Sequence, residues 1–148
     1  MFKHVLIPTD GSKLSEAAVR TGIQLAKEQG SQVTALFVMA NYQALIYGSR
    51  AMIAYDATEF EKSAQAEADT VLHFAEELAK AEGVPFNGVR VTNASVSEAI
   101  IKQAKDEQCD LICMASHGRK GLSGILLGSE TQKVLTNSSI PVLVHRAG

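Results

Sequence analysis

The sequence has no tryptophan, and only 5% of its 148 residues are aromatic. Proteins that bind single-stranded nucleic acids stack the bases on aromatic side chains, and nucleic-acid-binding domains usually carry an excess of basic residues. This sequence has 14 Lys and Arg residues and 16 Asp and Glu residues, which gives a net charge of −2. The composition therefore argues against a nucleic-acid partner.

Cysteine is also scarce, since Cys109 and Cys113 are the only two in the sequence. This pair provides no disulfide framework, so we expect two reduced thiols that serve in packing. The apolar segment at Met1–Pro8 is too short for the core of a signal peptide. No stretch approaches the ~20 apolar residues of a membrane-spanning helix. We therefore expect a cytoplasmic protein with no membrane segment.

The length of 148 residues is typical of one domain, and a hydrophobic fraction of 46% is typical of a globular protein. We expect residues 1–148 to form a single domain. Short aliphatic segments alternate with segments of helical periodicity. The aliphatic segments, predicted as strands, are His4–Thr9, Gln32–Ala40, Phe86–Thr92, Leu111–Ala115 and Ile140–His145. Such alternation predicts an α/β fold, a doubly wound parallel sheet with helices on both faces, but leaves the strand order open.

Helix boundaries are indicated by capping residues. Gly30 follows the first helical segment, and capping boxes at Thr58–Glu61 and Ser95–Glu98 predict the starts of two later helices. A further helix is predicted from about Ser129 to Asn137. The apolar stripe of the first helix is predicted to contain Leu14, Ala17, Ala18, Thr21 and Leu25.

A glycine-rich loop follows the fourth predicted strand, with four of the 11 glycines between Gly118 and Gly128. Glycines leave backbone N–H groups accessible to an anion, and the helix predicted to start at Ser129 would present its positive end to a phosphate. The alternative is a flexible connector in which Ser129–Gln132 is a capping box that uses its own hydroxyl. Spacing alone does not decide between the two.

Asp10 stands at the end of the first predicted strand, where α/β sheets bind ligands. Its carboxylate could accept hydrogen bonds from ribose hydroxyls or help to hold Mg²⁺. The alternative is a structural turn at Asp10–Ser12, in which Asp10 or Ser12 caps the first helix.

Three segments resemble the universal stress protein family: Ile7–Ser12, Met114–Ser129 and Ser139–Val144. The resemblance covers essentially the whole chain and implies a five-stranded sheet of order 3-2-1-4-5. The ATP-binding branch of that family carries Gly-x₂-Gly-x₉-Gly-Ser/Thr, which fits residues 115–129 with Ala115 in place of the first glycine. Asn93–Ser95 also replaces the family's usual Gly-x-Pro.

By this resemblance the chain holds an adenine nucleotide, with ATP as the cofactor and Asp10 as the candidate Mg²⁺ ligand. The residues implied to form the adenine and ribose end and the floor of the site are Pro8, Thr9, Asp10, Val38, Met114 and Ala115. Those implied to face the phosphates are Gly118, Arg119, Gly128, Ser129, Glu130 and Thr131.

The resemblance further implies a homodimer in which the two final strands, Ile140–His145, pair antiparallel. We expect a nucleotide-dependent regulatory module of the stress response with slow or no turnover, because the sequence presents no clear nucleophile–base or carboxylate pair. A slow Mg²⁺-dependent ATP hydrolase and an interaction module without nucleotide remain alternatives.

Two other features were weighed as candidate sites. The four histidines, His4, His73, His117 and His145, are expected to pair with no cysteine or carboxylate at metal-ligand spacing. Residues 41–57 contain all three tyrosines and form either a lid over the nucleotide or a packed amphipathic segment, and we favour packing.

Overall fold

A computed structural model describes residues 1–39, 57–118 and 127–146, and its strands and helices alternate as predicted. The strands are β1 (His4–Pro8), β2 (Gln32–Met39), β3 (Phe86–Thr92), β4 (Leu111–Ala115) and β5 (Val142–His145). The helices are α1 (Lys13–Gln29), α2 (Ala57–Glu82), α3 (Val96–Asp106) and α4 (Ser129–Asn137). Arg119 and nearly all of the predicted loop at 41–57 lie outside the described residues.

The last strand is shorter than predicted, since β5 begins at Val142 rather than Ile140. Pro141 has no backbone N–H to donate to a strand ladder, although its carbonyl accepts a hydrogen bond from the Ile112 N–H at 2.9 Å. The regular ladder with β4 therefore starts one residue after the proline.

The five strands are parallel and lie in the order β3-β2-β1-β4-β5, which confirms the order that the family resemblance implies. β2 and β3 lie on one side of β1, and β4 and β5 lie on the other. The direction of winding therefore reverses between β1 and β4. In open α/β sheets, ligands bind beyond the carboxyl ends of the strands at this reversal.

Helices cover both faces of the sheet and bury an apolar layer on each. On one face, Ile7 packs in a cluster with Leu72 of α2, and on the other Leu6 packs with Ile100 of α3 and Val134 of α4. Consecutive strand residues point to opposite faces, so a strand covered on both sides is apolar throughout. Within the described ranges, no helix has both the length and the apolar character needed to cross a bilayer.

Helix α1 is capped at both ends by its own sequence. The Ser12 side chain accepts a hydrogen bond from the Ser15 N–H at 3.2 Å, so Ser12 is the N-cap. Gly30 ends the helix in the left-handed conformation, with φ of 71°, as predicted. The Ser95 hydroxyl caps α3 by accepting from the Glu98 N–H, as predicted, but the Ser95 N–H donates to the Asn93 side chain and not to Glu98, so one half of the predicted capping box forms.

The buried face of α1 differs from the predicted apolar stripe, of which Ala18 is fully buried and Leu25 packs, partly buried, against the core. A Cβ placed on Gly22 would lie 2.5 Å from Cδ1 of Ile7, so this helix approaches β1 more closely than larger side chains would allow. The predicted residues Leu14, Ala17, Thr21 and Leu25 are only partly buried. The residues that are buried are Ser15, Ala18, Val19, Gly22, Ile23 and Ala26.

Both cysteines are buried and neither forms a disulfide. Burial raises the pKa of the Cys113 thiol to about 12. Burial, with smaller contributions from the carboxylates of Glu107 and Asp110, raises the pKa of the Cys109 thiol to about 12 as well. Protonated thiols are poor nucleophiles, so both cysteines serve in packing.

Asp110 lies at the end of the sheet where β1 begins. Its carboxylate accepts hydrogen bonds from the backbone N–H groups of Lys3 and His4 at 2.9–3.1 Å. These bonds join the start of β1 to the residue that precedes β4. Partial burial acts to raise the pKa of Asp110, but the hydrogen bonds to its charged form outweigh that effect and lower the pKa from 3.8.

A carboxyl with a lowered pKa in the folded state stabilises the fold above its unfolded pKa and loses this contribution in acid. We expect Asp110→Asn to lower the free energy of unfolding near neutral pH, with the deficit shrinking as the pH falls below 3.8. Urea unfolding across this range measures the effect. Asp106→Asn, which removes an exposed ion pair with Lys102, serves as the control. A deficit for Asp110→Asn that is constant with pH would contradict the account.

Candidate nucleotide site at the carboxyl ends of β1 and β4

A cleft of about 750 Å³ opens beyond the carboxyl ends of the central strands, where the winding reverses. Its walls come from β1, β2, β4 and the N-terminal parts of α1, α3 and α4. The residues that line it are Pro8, Thr9, Asp10, Ser15, Leu36, Val38, Val96, Ile100, Met114, Ala115, His117, Gly118, Leu127, Gly128, Ser129, Glu130, Thr131 and Gln132.

All the site residues predicted from the sequence line this cleft, apart from Arg119, which lies outside the described residues. Segments separated by more than 100 positions in the sequence meet here, because β1 and β4 are neighbours in the sheet. The sequence reasoning did not assign the cleft-lining residues Ser15, Leu36, Val96, Ile100, Leu127 and Gln132 to the site. His117 also lines the cleft and was not among the predicted site residues.

Asp10 forms the predicted turn and also lines the cleft. Its Oδ1 accepts hydrogen bonds from the Ser12 N–H and the Ser15 hydroxyl, each at 2.9 Å. The first of these bonds closes the predicted turn. The same side chain lines the cleft, so the turn fixes the carboxylate at the end of β1.

Gly118 lies against the other oxygen of this carboxylate. A Cβ built on Gly118 would stand 2.5 Å from Oδ2 of Asp10, well inside van der Waals contact. The absence of a side chain at 118 therefore lets the segment after β4 approach the end of β1. This is a position at which the chain requires glycine for space rather than for backbone conformation.

The start of α4 is capped by Gly128 and not by Ser129, so the alternative in which the Ser129 hydroxyl caps its own helix is wrong. Ser129 is the first residue of α4, and the N-cap residue Gly128 has no side chain with which to cap the helix. The Gly128 N–H donates to the Ser116 carbonyl at 2.7 Å. A Cβ on Gly128 would come within 3.1 Å of the His117 Cα. Among the described residues, no side chain caps the first-turn N–H groups of α4, which begin in the cleft.

Two side chains in the first turn of α4 are committed to other parts of the protein. The Glu130 carboxylate accepts a hydrogen bond from the Ser97 N–H at 2.8 Å, and so caps the neighbouring helix α3. The Thr131 hydroxyl is buried and donates to the Ala115 carbonyl at 3.0 Å. At Thr131 the group left to face a ligand is therefore the backbone N–H.

Apolar side chains form the remaining wall of the cleft. They come from β2 (Leu36 and Val38), from α3 (Val96 and Ile100) and from β4 (Met114). Val96 is among the more exposed large apolar residues, at 37%. An exposed valine at the mouth of an apolar cleft indicates a surface that a ligand with an apolar face can cover.

Ala115, which replaces the first glycine of the family motif, ends β4 and pairs with His145 of β5. It is buried and in regular strand geometry, a conformation that alanine adopts without strain. Its carbonyl is the acceptor for Thr131, so the backbone at this position supports α4.

One prediction about the histidines is wrong. His73 lies near Glu76 and Glu77 on exposed turns of α2, and their potential ligand atoms all lie within 4.8 Å of one another. The spacing i, i+3, i+4 places the three on one helix face, and this signal is present in the sequence. All three are exposed, and the group is on the surface of α2 rather than in the cleft.

The bond from Glu130 to α3 gives a testable consequence for stability. Loss of a carboxylate cap at a helix N-terminus costs about 1 kcal/mol. We expect Glu130→Ala to lower the free energy of unfolding by about that amount in urea titrations. Lys133→Ala removes the partner 3.5 Å from Glu130 but leaves the bond to Ser97, and should change stability by less than about 0.5 kcal/mol. Equal losses in the two variants would argue against the cap.

Comparisons with known proteins agree on one family. The model of the universal stress protein family matches residues 1–146. Universal stress protein MJ0531 of Methanocaldococcus jannaschii is 33% identical over 147 residues, covering 97% of this chain and 82% of that protein. Universal stress protein YxiE of Bacillus subtilis is 29% identical over 153 residues, covering 99% of this chain and 100% of that protein.

Solved structures show the same fold. The structure of Methanocaldococcus jannaschii MJ0577 matches with a TM-score of 0.83 at 28% identity, over 100% of this chain and 98% of that one. A universal stress protein in complex with cAMP matches with a TM-score of 0.73 at 23% identity, over 97% and 96% of the two chains. One from Archaeoglobus fulgidus in complex with dAMP matches with a TM-score of 0.69 at 16% identity, over 97% of each.

The last two likenesses concern the fold alone, whereas the family model and the relative at 33% identity extend over nearly the whole sequence. On these grounds the chain belongs to the universal stress protein family.

Proposed function

We propose that this protein binds ATP in the cleft at the ends of β1 and β4 and acts as a nucleotide-dependent regulatory module of the stress response in the cytoplasm. One observation carries the proposal. A single cleft combines an apolar wall, a fixed carboxylate and a helix N-terminus to which the described part of the chain supplies no side-chain cap. These are the surfaces that a base, a ribose and a phosphate chain require.

The apolar end of the cleft fits the base. The flat faces of adenine are apolar, and the walls formed by Leu36, Val38, Ile100 and Met114 would cover them. Val38 lies one residue before the end of β2, so its backbone is close to the mouth of the cleft. A volume of about 750 Å³ falls within the range of small-molecule sites.

The opposite end fits phosphates. The N–H groups of Ser129, Glu130 and Thr131 belong to the first turn of α4, where an α-helix has no acceptor of its own for these donors. The helix dipole adds positive potential at the same place. Binding of an anion there is further favoured because Ser97 holds the Glu130 carboxylate.

The ligands of two structural relatives support the class of nucleotide. One was solved with cAMP and the other with dAMP, and both ligands carry adenine and a phosphate. For this chain, the motif Gly118-x₉-Gly128-Ser129 and the glycine-capped α4 favour a longer phosphate chain, and Asp10 is our candidate ligand for the Mg²⁺ that accompanies it.

We propose binding with slow or no turnover. A hydrolase needs a group that takes a proton from the attacking water or orients it. Within the described part of the cleft, the carboxylates are those of Asp10 and Glu130, and each accepts hydrogen bonds from the protein's own N–H or hydroxyl groups. Glu130 thus caps α3, and Asp10 is held in place by the turn after β1, an arrangement suited to holding a ligand rather than to taking a proton, which favours a bound nucleotide as a signal or a stabilising ligand.

Titration calorimetry with ATP, ADP and AMP, together with an assay of phosphate release, tests this function. We expect saturable ATP binding with little phosphate released. Rapid release that Asp10→Ala abolishes would favour the hydrolase. No binding of any of the three nucleotides at millimolar concentration would contradict the proposal and favour an interaction module without nucleotide.

Gly118→Ala gives a specific prediction at this site. The added methyl group would displace the Asp10 carboxylate, from which it would lie 2.5 Å away. We expect the affinity for ATP to fall by about tenfold, equivalent to ~1.4 kcal/mol. The control is Gly88→Ala in β3, where the added Cβ meets no atom closer than 3.4 Å. Equal affinities in these two variants would show that the contact with Asp10 does not shape the site.

We also propose that two copies pair through β5, which is an edge strand of the sheet. The carbonyls of Pro141 and His145 accept hydrogen bonds from β4 and the residue after it. Because backbone groups alternate sides along a strand, those of Val142 and Val144 face away from β4. Leu143 is 37% exposed, so an apolar surface accompanies this open edge.

Val144→Pro removes one outward N–H without touching the ladder to β4, and we expect it to weaken the dimer. Val144→Ala keeps that N–H and should remain dimeric. Analytical ultracentrifugation at micromolar concentration distinguishes the two. A monomeric parent protein, or a proline variant that dimerises as well as the alanine variant, would exclude pairing through this strand.

A further inference from the structure

Ser15 is a buried hydroxyl at the floor of the cleft, and neither the family motif nor the sequence pattern assigns it a role. It lies in the first turn of α1 and is 3% exposed, yet it lines the cleft. Its oxygen lies 2.9 Å from Oδ1 of Asp10, 3.1 Å from the Thr9 hydroxyl and 3.1 Å from the Ser12 hydroxyl. Three polar side chains therefore converge on one buried oxygen.

The hydrogen bonds around Ser15 can be oriented from the donors available. The Thr9 hydroxyl oxygen accepts from the Gly11 N–H, and the Ser12 hydroxyl oxygen accepts from the Ser15 N–H. Both hydroxyl protons are then available to donate to the Ser15 oxygen. The single proton of Ser15 has two acceptors within reach, Oδ1 of Asp10 at 2.9 Å and the Ser12 carbonyl at 3.0 Å, and the charged carboxylate gives the stronger bond. Hydroxyls that donate in series strengthen one another.

The carboxylate is consequently fixed from two sides. Ser15 and the Ser12 N–H hold Oδ1, while Gly118 confines Oδ2 at the edge of the cleft. If the carboxylate could rotate, each hydrogen bond to a diol would first require the side chain to be ordered. That entropic cost would lower the affinity for the diol. With Oδ1 held in this way, the Asp10 carboxylate lines the cleft in one defined orientation.

We propose that Ser15 is a positioning residue that orients Asp10 to recognise the free hydroxyls of a ribose, and thereby makes the site select ribonucleotides over nucleotides that lack those hydroxyls. The inference rests on the proposed nucleotide function. It goes beyond that function because it assigns sugar selectivity to a residue that acts through Asp10. Loss of Ser15 affects the ribose and leaves the base and phosphate contacts in place.

Titration calorimetry tests the proposal. It measures the binding of ATP and of 2′,3′-dideoxy-ATP to the parent protein and to Ser15→Ala. A hydrogen bond to a charged group is worth about 1.5–3 kcal/mol, so the parent should prefer ATP by roughly tenfold or more. In Ser15→Ala this preference should fall to about two- or threefold, with the affinity for dideoxy-ATP unchanged. A purely structural role would weaken both ligands equally.

The isosteric pair Ser15→Thr and Ser15→Val is a second test that does not depend on the alanine variant. The two differ only in the hydroxyl, so the threonine variant should keep the preference for ATP and the valine variant should lose it. Thr34→Val, at a buried position in β2, removes a hydroxyl elsewhere and should also keep the preference.

The outcomes separate this inference from the proposed function. Failure of the parent protein to bind either nucleotide would overturn both. Binding of the two nucleotides with equal affinity would leave nucleotide binding intact but overturn the selectivity for ribose. A preference for ATP that survives in Ser15→Ala and Ser15→Val would overturn the role of Ser15 alone.

Discussion

At the carboxyl ends of β1 and β4, Gly118 approaches the Asp10 carboxylate so closely that a larger residue would displace one of the two. Through this contact the turn after β1 and the segment after β4 fix each other. The Ser12 N–H and the Ser15 hydroxyl donate to the same carboxylate and hold its Oδ1.

The two ends of the sheet differ in how their polar groups are hydrogen-bonded. At the amino end of β1, the Asp110 carboxylate binds backbone N–H groups of Lys3 and His4, so charge and donors are matched within the protein. At the carboxyl end, Gly128 provides no side-chain cap to α4, and Glu130 is drawn to the neighbouring helix by Ser97. One end of the sheet is thereby closed by internal bonds, and the other carries the cleft in which we propose that the phosphates of the nucleotide bind.

Much of the fold could be predicted from the sequence because its signals are local. Ser95 and Gly30 mark helix ends through hydrogen bonds and backbone conformations that involve a few neighbouring residues. The buried face of α1 could not be predicted from apolar periodicity, because Ser15 and Gly22 are buried on it, and Gly22 lies so close to Ile7 that a side chain would not fit there. Strand order likewise depends on long-range pairing and came from the family resemblance.

The candidate site could likewise be predicted from the sequence only in part. The placement of Asp10 and the glycine-rich motif could be found from their positions after strands. Ser15 gave no signal, because a serine in the first turn of a helix is common and its partners are apparent only when Thr9 and Asp10 are in place. The commitment of Glu130 to Ser97 depends on the packing of α3 beside α4, which sequence spacing does not contain.

Amide NMR spectra during titration with ATP test the central claim most directly. The account predicts shifts at the backbone N–H groups of Gly11, Gly118 and the first turn of α4, with Lys3 and His4 at the far end of the sheet unchanged. Saturating ATP that leaves the first turn of α4 unperturbed, or that perturbs the Asp110 end of the sheet instead, would contradict it.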